Sequence, residues 1–252
     1  MITKKRTFGP YKYAAYSLIV ARWLSTAPRP LPQYSYITLG GTELRDIEHI
    51  GWINAQLVSS VVAYEENQSR FSLALQTATV LETKGVKVKM IEGDIFEYRR
   101  ASGGGHIYFV DFEGTCAGDV VCNEFREWFE NEVIQPGDVL LITSYLGRNR
   151  GWEKTLEQFD GAFRILRTSD DDRKSMYEIA HPLFTIYRAL IKSGRENELQ
   201  LNSIGFIRYY DTSPMGLYAI AFEHGRVNLQ SMVQGLPRFY MTRKKWGPVV
   251  GQ

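Results

Sequence analysis

Short apolar runs alternate with longer amphipathic stretches over the first two thirds of the chain. The runs at 34–41, 60–66, 86–94 and 106–115 each carry glycine or an acidic residue near their end. Runs of this length, bounded by turn residues, predict β-strands, and a fifth strand is predicted at 138–143. Because strands that alternate with helices form βαβ units, the pattern predicts a parallel sheet.

The segments between these strands have helical periodicity. Helices are predicted at 11–25, 42–57, 69–84, 119–133 and 173–193. The apolar face of the third is predicted to comprise Phe71, Leu75, Ala78 and Leu81, and that of the fourth Phe125, Trp128 and Phe129. Two apolar segments near the C-terminus, 204–210 and 217–222, flank a turn sequence and predict a hairpin.

Composition sets broad limits on this picture. The chain has 252 residues, of which 44% are hydrophobic and 23% charged, as in an ordinary soluble domain. The net charge of +2 is too small to indicate a nucleic-acid partner by itself. Two cysteines, Cys116 and Cys122, give no disulfide framework and no metal-binding spacing, which favours a reducing cytoplasm. No run reaches the roughly 20 apolar residues that span a membrane.

Three regions are predicted along the chain. Residues 1–33 form a helical extension with a proline-rich linker, since 27–32 contains three prolines. Residues 34–223 form the α/β domain. Residues 224–252 are a basic and aromatic tail. The oligomeric state is left open by the sequence.

The order of five alternating strands, a helix and a closing hairpin resembles the class I S-adenosylmethionine-dependent methyltransferase fold. The resemblance covers about residues 34 to 223. It implies a Rossmann-like α/β fold with helices on both faces of the sheet. The sheet is then mostly parallel, with an antiparallel C-terminal hairpin.

The resemblance also implies positions for S-adenosylmethionine. Gly40 and Gly41, after the first strand, match the turn beneath the methionine part of the cofactor. Glu65, with Glu66 as the alternative, matches the acid that binds the ribose hydroxyls, and Asp94 matches the acid beside the adenine. The chemistry is consistent, because an ionised carboxylate accepts hydrogen bonds from both hydroxyls of a diol.

Two further groups are candidates for the chemistry and for the acceptor. Asp111 matches the acid that faces the methyl-transfer site, and Glu113 lies two residues on, so that an extended backbone points both carboxylates the same way. This pair could supply a general base. Arg148, Arg150 and Trp152 follow the fifth strand, where arginine pairs with phosphate and an aromatic ring stacks on bases.

The sequence therefore favours an S-adenosylmethionine-dependent methyltransferase, with RNA or DNA as the preferred acceptor. An inactive member of the fold that acts as a binding protein is the first alternative, because the glycine turn lacks the usual spacing. A nicotinamide-dependent oxidoreductase is the second, although the G-x-G-x-x-G turn is missing. Cys116 has two interpretations. The favoured one is a buried, reduced thiol, and the alternative is the nucleophile of a methyltransferase that acts on pyrimidine C5.

Overall fold

The structure is a computed structural model. It describes residues 10–26, 33–49, 57–100, 103–112, 116, 118–146, 170–210, 213–228, 238–242 and 245–246. The helices in these residues are α1 (Pro10–Thr26), α2 (Arg45–His49), α3 (Gln68–Thr83), α4 (Asp119–Glu130) and α5 (Asp170–Lys192). The strands are β1 (Tyr34–Leu39), β2 (Val58–Glu65), β3 (Val88–Glu92), β4 (Gly105–Asp111), β5 (Val139–Tyr145), β6 (Leu199–Tyr210), β7 (Pro214–His224), β8 (Arg238–Thr242) and β9 (Lys245–Trp246).

The strands form one mixed sheet in the order β3-β2-β1-β4-β5-β7-β6-β8-β9. Strands β1 to β5 pair in parallel. Strand β7 lies between β5 and β6 and is antiparallel to both. The prediction of a mostly parallel sheet with an antiparallel C-terminal hairpin is therefore confirmed. The strand order reverses between β1 and β4, and this is the point where ligands bind in doubly wound sheets.

Helices cover both faces of the sheet, each over its own apolar core. Helices α1, α2 and α3 lie on the first face, with Tyr16, Ile47 and Leu81 among their buried side chains. Helices α4 and α5 lie on the second face, where Trp128 and Ile186 are buried against β4 to β7. The second face is covered mainly over the central and C-terminal strands, because both of its helices lie there.

The predicted helices and strands recur with shifted ends. Phe125, Trp128 and Phe129 are buried in α4, as predicted. The predicted face of α3 is partly wrong, because Leu75 is 43% exposed and Ala74 is buried instead. Helix α2 is described only to His49, and residues 50–56 lie outside the described part of the chain.

The C-terminal part of the sheet is larger than predicted. Strands β6 and β7 form a long hairpin, and β8 pairs in parallel with β6 within the region assigned to the tail. Helix α1 packs on β6. The boundaries at 33 and 223 stay predictions. No helix in the described residues is long and apolar enough to cross a membrane.

A buried polar network holds the amino ends of β4 and β5 together. The fully buried carboxylate of Asp138 accepts hydrogen bonds from the Arg100 guanidinium at 2.6 Å and from the His106 backbone N–H at 2.8 Å. The His106 ring bonds the Tyr98 hydroxyl through Nε2 at 3.0 Å. Burial, followed by the positive charge of Arg100, lowers the pKa of His106 to about 4. Burial raises the pKa of Asp138 to about 6.

We expect His106→Gln to flatten the pH dependence of stability in mildly acidic solution. The folded imidazole stays neutral down to about pH 4, whereas an unfolded histidine takes up a proton near about pH 6.5. The unfolded state therefore binds more protons between these values, and the free energy of unfolding rises with pH across the window. Urea unfolding of both proteins through this range measures the difference.

His181, Asp46 and Asp138 also titrate in or near this range, but all three remain in the variant. The difference between the two curves therefore reports on His106 together with the Asp138 carboxylate that lies 4.0 Å from its Nδ1. Two parallel curves would contradict the prediction.

Candidate functional site

The carboxyl ends of β1, β2 and β3 are joined by backbone hydrogen bonds. The Gly40 N–H donates to the Tyr64 carbonyl at 2.9 Å, and the Gly93 N–H donates to the Glu65 carbonyl at 3.2 Å. The predicted residues Gly40, Glu65 and Asp94 therefore lie at or just after the ends of three adjacent strands. Asp111, at the end of β4, continues the same edge because β4 pairs with β1 in parallel.

The turn after β1 depends on a close approach of two chain segments. A Cβ at Gly40 would lie 2.7 Å from Leu44 Cδ2 and 3.0 Å from Ala63 Cβ, so only glycine fits without movement. Gly41 has a φ of +51°, which favours glycine, and a Cβ there would meet nothing within 4 Å. The two glycines therefore differ in role. Gly40 lets the turn pack closely against β2, whereas the space beside Gly41 is open.

Glu65 is 8% exposed at the end of β2. Its Oε1 accepts a hydrogen bond from the Asn67 backbone N–H at 3.0 Å, which fixes the carboxylate at the start of α3. A carboxylate has further acceptor capacity on both oxygens. The alternative residue, Glu66, is exposed.

Asp94 stands beside a pair of aromatic rings. Its Oδ1 accepts from the Phe96 backbone N–H at 2.9 Å and caps a 3₁₀ turn, Ile95–Glu97. The rings of Phe96 and Phe112 lie face to face, with centroids 6.3 Å apart and planes inclined by 30°. Both rings are partly exposed. Partly exposed aromatic rings thus lie near the turn that Asp94 caps, and aromatic rings and carboxylates are the residue types that bind a base with an amino group.

Asp111 is held by residues from two other elements. Its carboxylate accepts hydrogen bonds from the Lys12 ammonium of α1 and from the Thr143 hydroxyl of β5. The Lys12 side chain is 12% exposed and that of Asp111 is 32% exposed. The Lys12 Nζ also lies 5.8 Å from the centroid of the Phe109 ring. Helix α1 therefore contributes a cation to the carboxyl edge of β4.

A second, buried carboxylate lies behind this ion pair. Asp46, 3% exposed, accepts hydrogen bonds from the Thr38 hydroxyl at 2.6 Å and from the Tyr36 hydroxyl at 2.9 Å. The Tyr36 and Tyr16 hydroxyls are 3.0 Å apart and hydrogen-bonded. Burial raises the pKa of Asp46 to about 6, against the hydrogen bonds and the charge of Lys12. Asp46 thus connects α2 to β1 and, through the Tyr36 and Tyr16 hydroxyls, to α1.

The remaining predicted residues have different outcomes. Glu113, Arg148, Arg150 and Trp152 lie outside the described residues, so their roles stay predictions. Cys116 is fully buried, and burial raises the pKa of its thiol, which keeps it protonated. Among the described residues, no three His, Cys, Asp or Glu side chains form a group that could hold a metal ion.

Sequence reasoning missed four side chains of this edge. Phe96 and Phe112 could have been found, because each lies within two residues of a predicted acid. Asp46 lies within the predicted helix 42–57, but the sequence does not indicate that its carboxylate is buried. No local signal marks Lys12, which lies 99 residues before its partner Asp111.

We expect Gly40→Ala to lower the free energy of unfolding by about 1–3 kcal/mol, because the added methyl group overpacks the contact with Leu44 and Ala63. Gly103→Ala is the matched control, since a Cβ at Gly103 meets nothing within 4 Å and its φ lies outside the left-handed range. The control should change stability by less than about 0.5 kcal/mol. Urea unfolding measures both variants, and an equal effect of the two would refute the packing argument.

No protein-family model and no curated protein matches the chain. Similar solved structures include the mitomycin 7-O-methyltransferase MmcR, with 12% identity, a TM-score of 0.44, and 81% of this chain and 53% of that chain covered. A methyltransferase from Clostridium acetobutylicum has 10% identity, a TM-score of 0.45 and coverages of 84% and 92%. The B. subtilis tRNA methyltransferase TrmK has 8% identity, a TM-score of 0.47 and coverages of 87% and 68%.

The chain thus spans about half the length of MmcR. The architecture is evident in the sheet itself, which is parallel from β1 to β5 and contains the reversed strand β7 beside β5. This is the Rossmann-like methyltransferase fold.

Proposed function

We propose that the chain is an S-adenosylmethionine-dependent methyltransferase. The observation that carries the proposal is the row of groups on four adjacent strand ends. An open glycine turn follows β1, Glu65 ends β2, Asp94 follows β3 and Asp111 ends β4. Such a row at the switch point of the sheet suits a nucleoside that carries a cationic amino-acid tail.

The nucleoside part fits Glu65, Asp94 and the two phenylalanines. Glu65 would accept hydrogen bonds from the ribose hydroxyls with the acceptor capacity that Asn67 leaves. Asp94 would accept from an adenine amino group. The rings of Phe96 and Phe112 offer the base an apolar surface beside that carboxylate.

The charges at the edge favour a cationic ligand over a pyrophosphate. Glu65, Asp94 and Asp111 are three carboxylates, and Lys12 is the one cation that pairs with any of them among the described residues. A sulfonium and an ammonium group are attracted to carboxylates, whereas a pyrophosphate is repelled. This contrast supports S-adenosylmethionine and disfavours the nicotinamide alternative.

The bound cofactor supplies an electrophilic methyl group on a sulfonium. Asp111 would hold the acceptor by a hydrogen bond to its nucleophilic atom, with Glu113 as a second carboxylate. Thr143 and Lys12 fix the orientation of Asp111 by hydrogen bonds to its two oxygens. Catalysis by these residues is then mostly positioning, which suits an in-line displacement.

A nucleic acid is the acceptor that we favour. Arg148, Arg150 and Trp152 follow β5 by a few residues, and β5 ends next to Asp111. Two guanidinium groups would pair with phosphates while the indole stacks on a base. The acid at the strand end would then face the reacting group.

One observation favours the alternative of an inactive binding protein. The carboxylate of Asp111 already has two partners, Lys12 and Thr143, so an acceptor must compete with them or share the carboxylate. Cofactor binding with no detectable methyl transfer to RNA, DNA or small-molecule acceptors would support this alternative.

We expect isothermal titration calorimetry to detect binding of S-adenosylhomocysteine and of S-adenosylmethionine, and no binding of NAD. Glu65→Gln should weaken S-adenosylhomocysteine binding by roughly ten- to a hundredfold, since a hydrogen bond to a charged group contributes about 1.5–3 kcal/mol. Glu66→Gln removes the same charge from the adjacent exposed residue and should leave affinity nearly unchanged.

Each result separates the hypotheses. Equal affinities of the two variants would show that Glu65 does not bind the ribose. Binding of NAD without binding of either adenosyl ligand would replace the proposal by the oxidoreductase alternative.

We expect the affinity for an RNA or DNA oligonucleotide to fall with salt, because each neutralised phosphate releases counterions. Replacing both Arg148 and Arg150 by alanine should weaken binding and reduce the slope of log affinity against log salt by up to about 2. A salt titration by fluorescence anisotropy measures both quantities, with S-adenosylhomocysteine affinity as the control. Salt-independent or absent binding by the wild type would direct the search to other acceptors.

A further inference from the structure

A groove of about 240 Å³ lies on the second face of the sheet, over β1, β2 and β3. The strands contribute Ser35, Ile37, Ser60, Val62, Tyr64, Lys89 and Ile91 to it. These residues alternate along their strands and so point to one face. Tyr98 and Arg99 close one side of the groove.

The groove exists because a crossover helix is missing. Parallel strands are usually joined by a helix that covers the sheet. The connection from β3 to β4 runs from 93 to 104, and its described residues contain only the short 3₁₀ turn Ile95–Glu97. Helices α4 and α5 cover β4 to β7 instead. Ser60 and Lys89 are consequently exposed, and Val62 and Ile91 are only partly buried.

The size of the uncovered area matches a short helix. From Ser60 to Tyr64 the floor extends about 13 Å along β2, at about 3.3 Å per residue. Across β1, β2 and β3 it extends about 10 Å, at about 4.8 Å per strand. Two turns of an α-helix are about 11 Å long and about 10–12 Å wide. The groove thus has the dimensions of the helix that this connection lacks.

The lining defines the chemistry of the occupant. Ile37, Val62 and Ile91 form an apolar floor. Lys89 and Arg99 lie at the rim, and the residues that line the groove include no carboxylate. No described carboxylate forms an ion pair with either cation. Among the described residues, the Arg99 guanidinium donates to the backbone carbonyls of Phe96 and Tyr98, which carry no net charge.

The aromatic residues of the groove disfavour a nucleic acid. Tyr64 and Tyr98 are 5% and 8% exposed, so neither ring is open for a base to stack on it. The floor is instead a half-covered apolar sheet surface, which in layered folds packs against a helix.

We propose that this groove is the docking site for an amphipathic helix of a partner protein, with an apolar face and acidic flanks. The apolar face covers Val62 and Ile91, and the acidic flanks pair with Lys89 and Arg99. Ser35 and Ser60, whose hydroxyls are 2.9 Å apart, allow close approach at the amino end because both side chains are small. The proposal goes beyond methyl transfer and does not depend on it, since the groove lies on the face of the sheet and not at its carboxyl edge.

The test uses a pair of fluorescent synthetic helical peptides. Both carry leucine and alanine on one face. One has glutamate on the flanks and the other has lysine. Fluorescence anisotropy with the full chain should show that the glutamate peptide binds roughly tenfold more tightly than the lysine peptide, as two surface ion pairs of ordinary strength imply.

Charge reversal at the rim makes the test specific. The double variant Lys89→Glu and Arg99→Glu should invert the order of the two peptides. The double variant Arg70→Glu and Lys84→Glu makes the same charge change at exposed positions at the two ends of α3 and should preserve the order. Circular dichroism checks that each variant is folded.

A third variant tests the floor without changing charge. Ser60→Trp fills the groove from an exposed position and should weaken both peptides. The proposal is overturned if the wild type binds neither peptide, if the rim variant keeps the wild-type order, or if the α3 control loses it equally. Tight binding of an RNA oligonucleotide that the rim variant alone abolishes would also overturn it, in favour of a nucleic-acid occupant.

Discussion

The buried carboxylate of Asp46 is the group on which the carboxyl edge of the sheet depends. A carboxylate without water is costly unless hydrogen bonds and a nearby cation compensate for the lost solvation. Thr38 and Tyr36 supply the hydrogen bonds from β1, and Lys12 supplies a favourable charge from α1. The same side chain therefore connects α2 to β1 and, through the Tyr36 and Tyr16 hydroxyls, to α1. Lys12 of the same helix pairs with Asp111, so the charge that favours Asp46 also lies at the edge of β4.

Periodicity was sufficient to predict strands β1 to β5, the C-terminal hairpin and most of the helices, but not strands β8 and β9. Strand runs near 60, 106 and 138 are apolar, short and bounded by turn residues, and such a signal is local. The face of α3 was harder to predict, because Leu75 and Ala74 are both acceptable at a helix–sheet contact. The structure buries the smaller side chain, Ala74, and leaves Leu75 exposed. Residues of similar hydropathy are distinguished by the space available, and a sequence does not state that space.

The residues of the candidate site also divide into those that the sequence could predict and those that it could not. Gly40 and Asp94 follow strands and Glu65 ends one, so the topology of a parallel sheet brings them to one edge. The ion pair of Lys12 with Asp111 joins residues that are far apart in the chain, and no spacing rule connects them. The groove over β2 and β3 could not be predicted either. It arises where the described residues of the β3–β4 connection form a 3₁₀ turn and not a covering helix, and only the three-dimensional course of that connection shows which strands stay uncovered.

The position of β7 has a consequence for the synthesis of the chain. Strand β5 is buried and largely apolar, and its second neighbour in the sheet is β7, more than sixty residues later in the sequence. Until β7 leaves the ribosome, β5 is an unpaired edge strand, and exposed apolar edges promote aggregation. Strand β6 emerges first but cannot take the vacant place, since β7 must separate it from β5. The β5 edge of the nascent chain therefore stays open until the β6–β7 hairpin has been synthesised and β7 pairs with it.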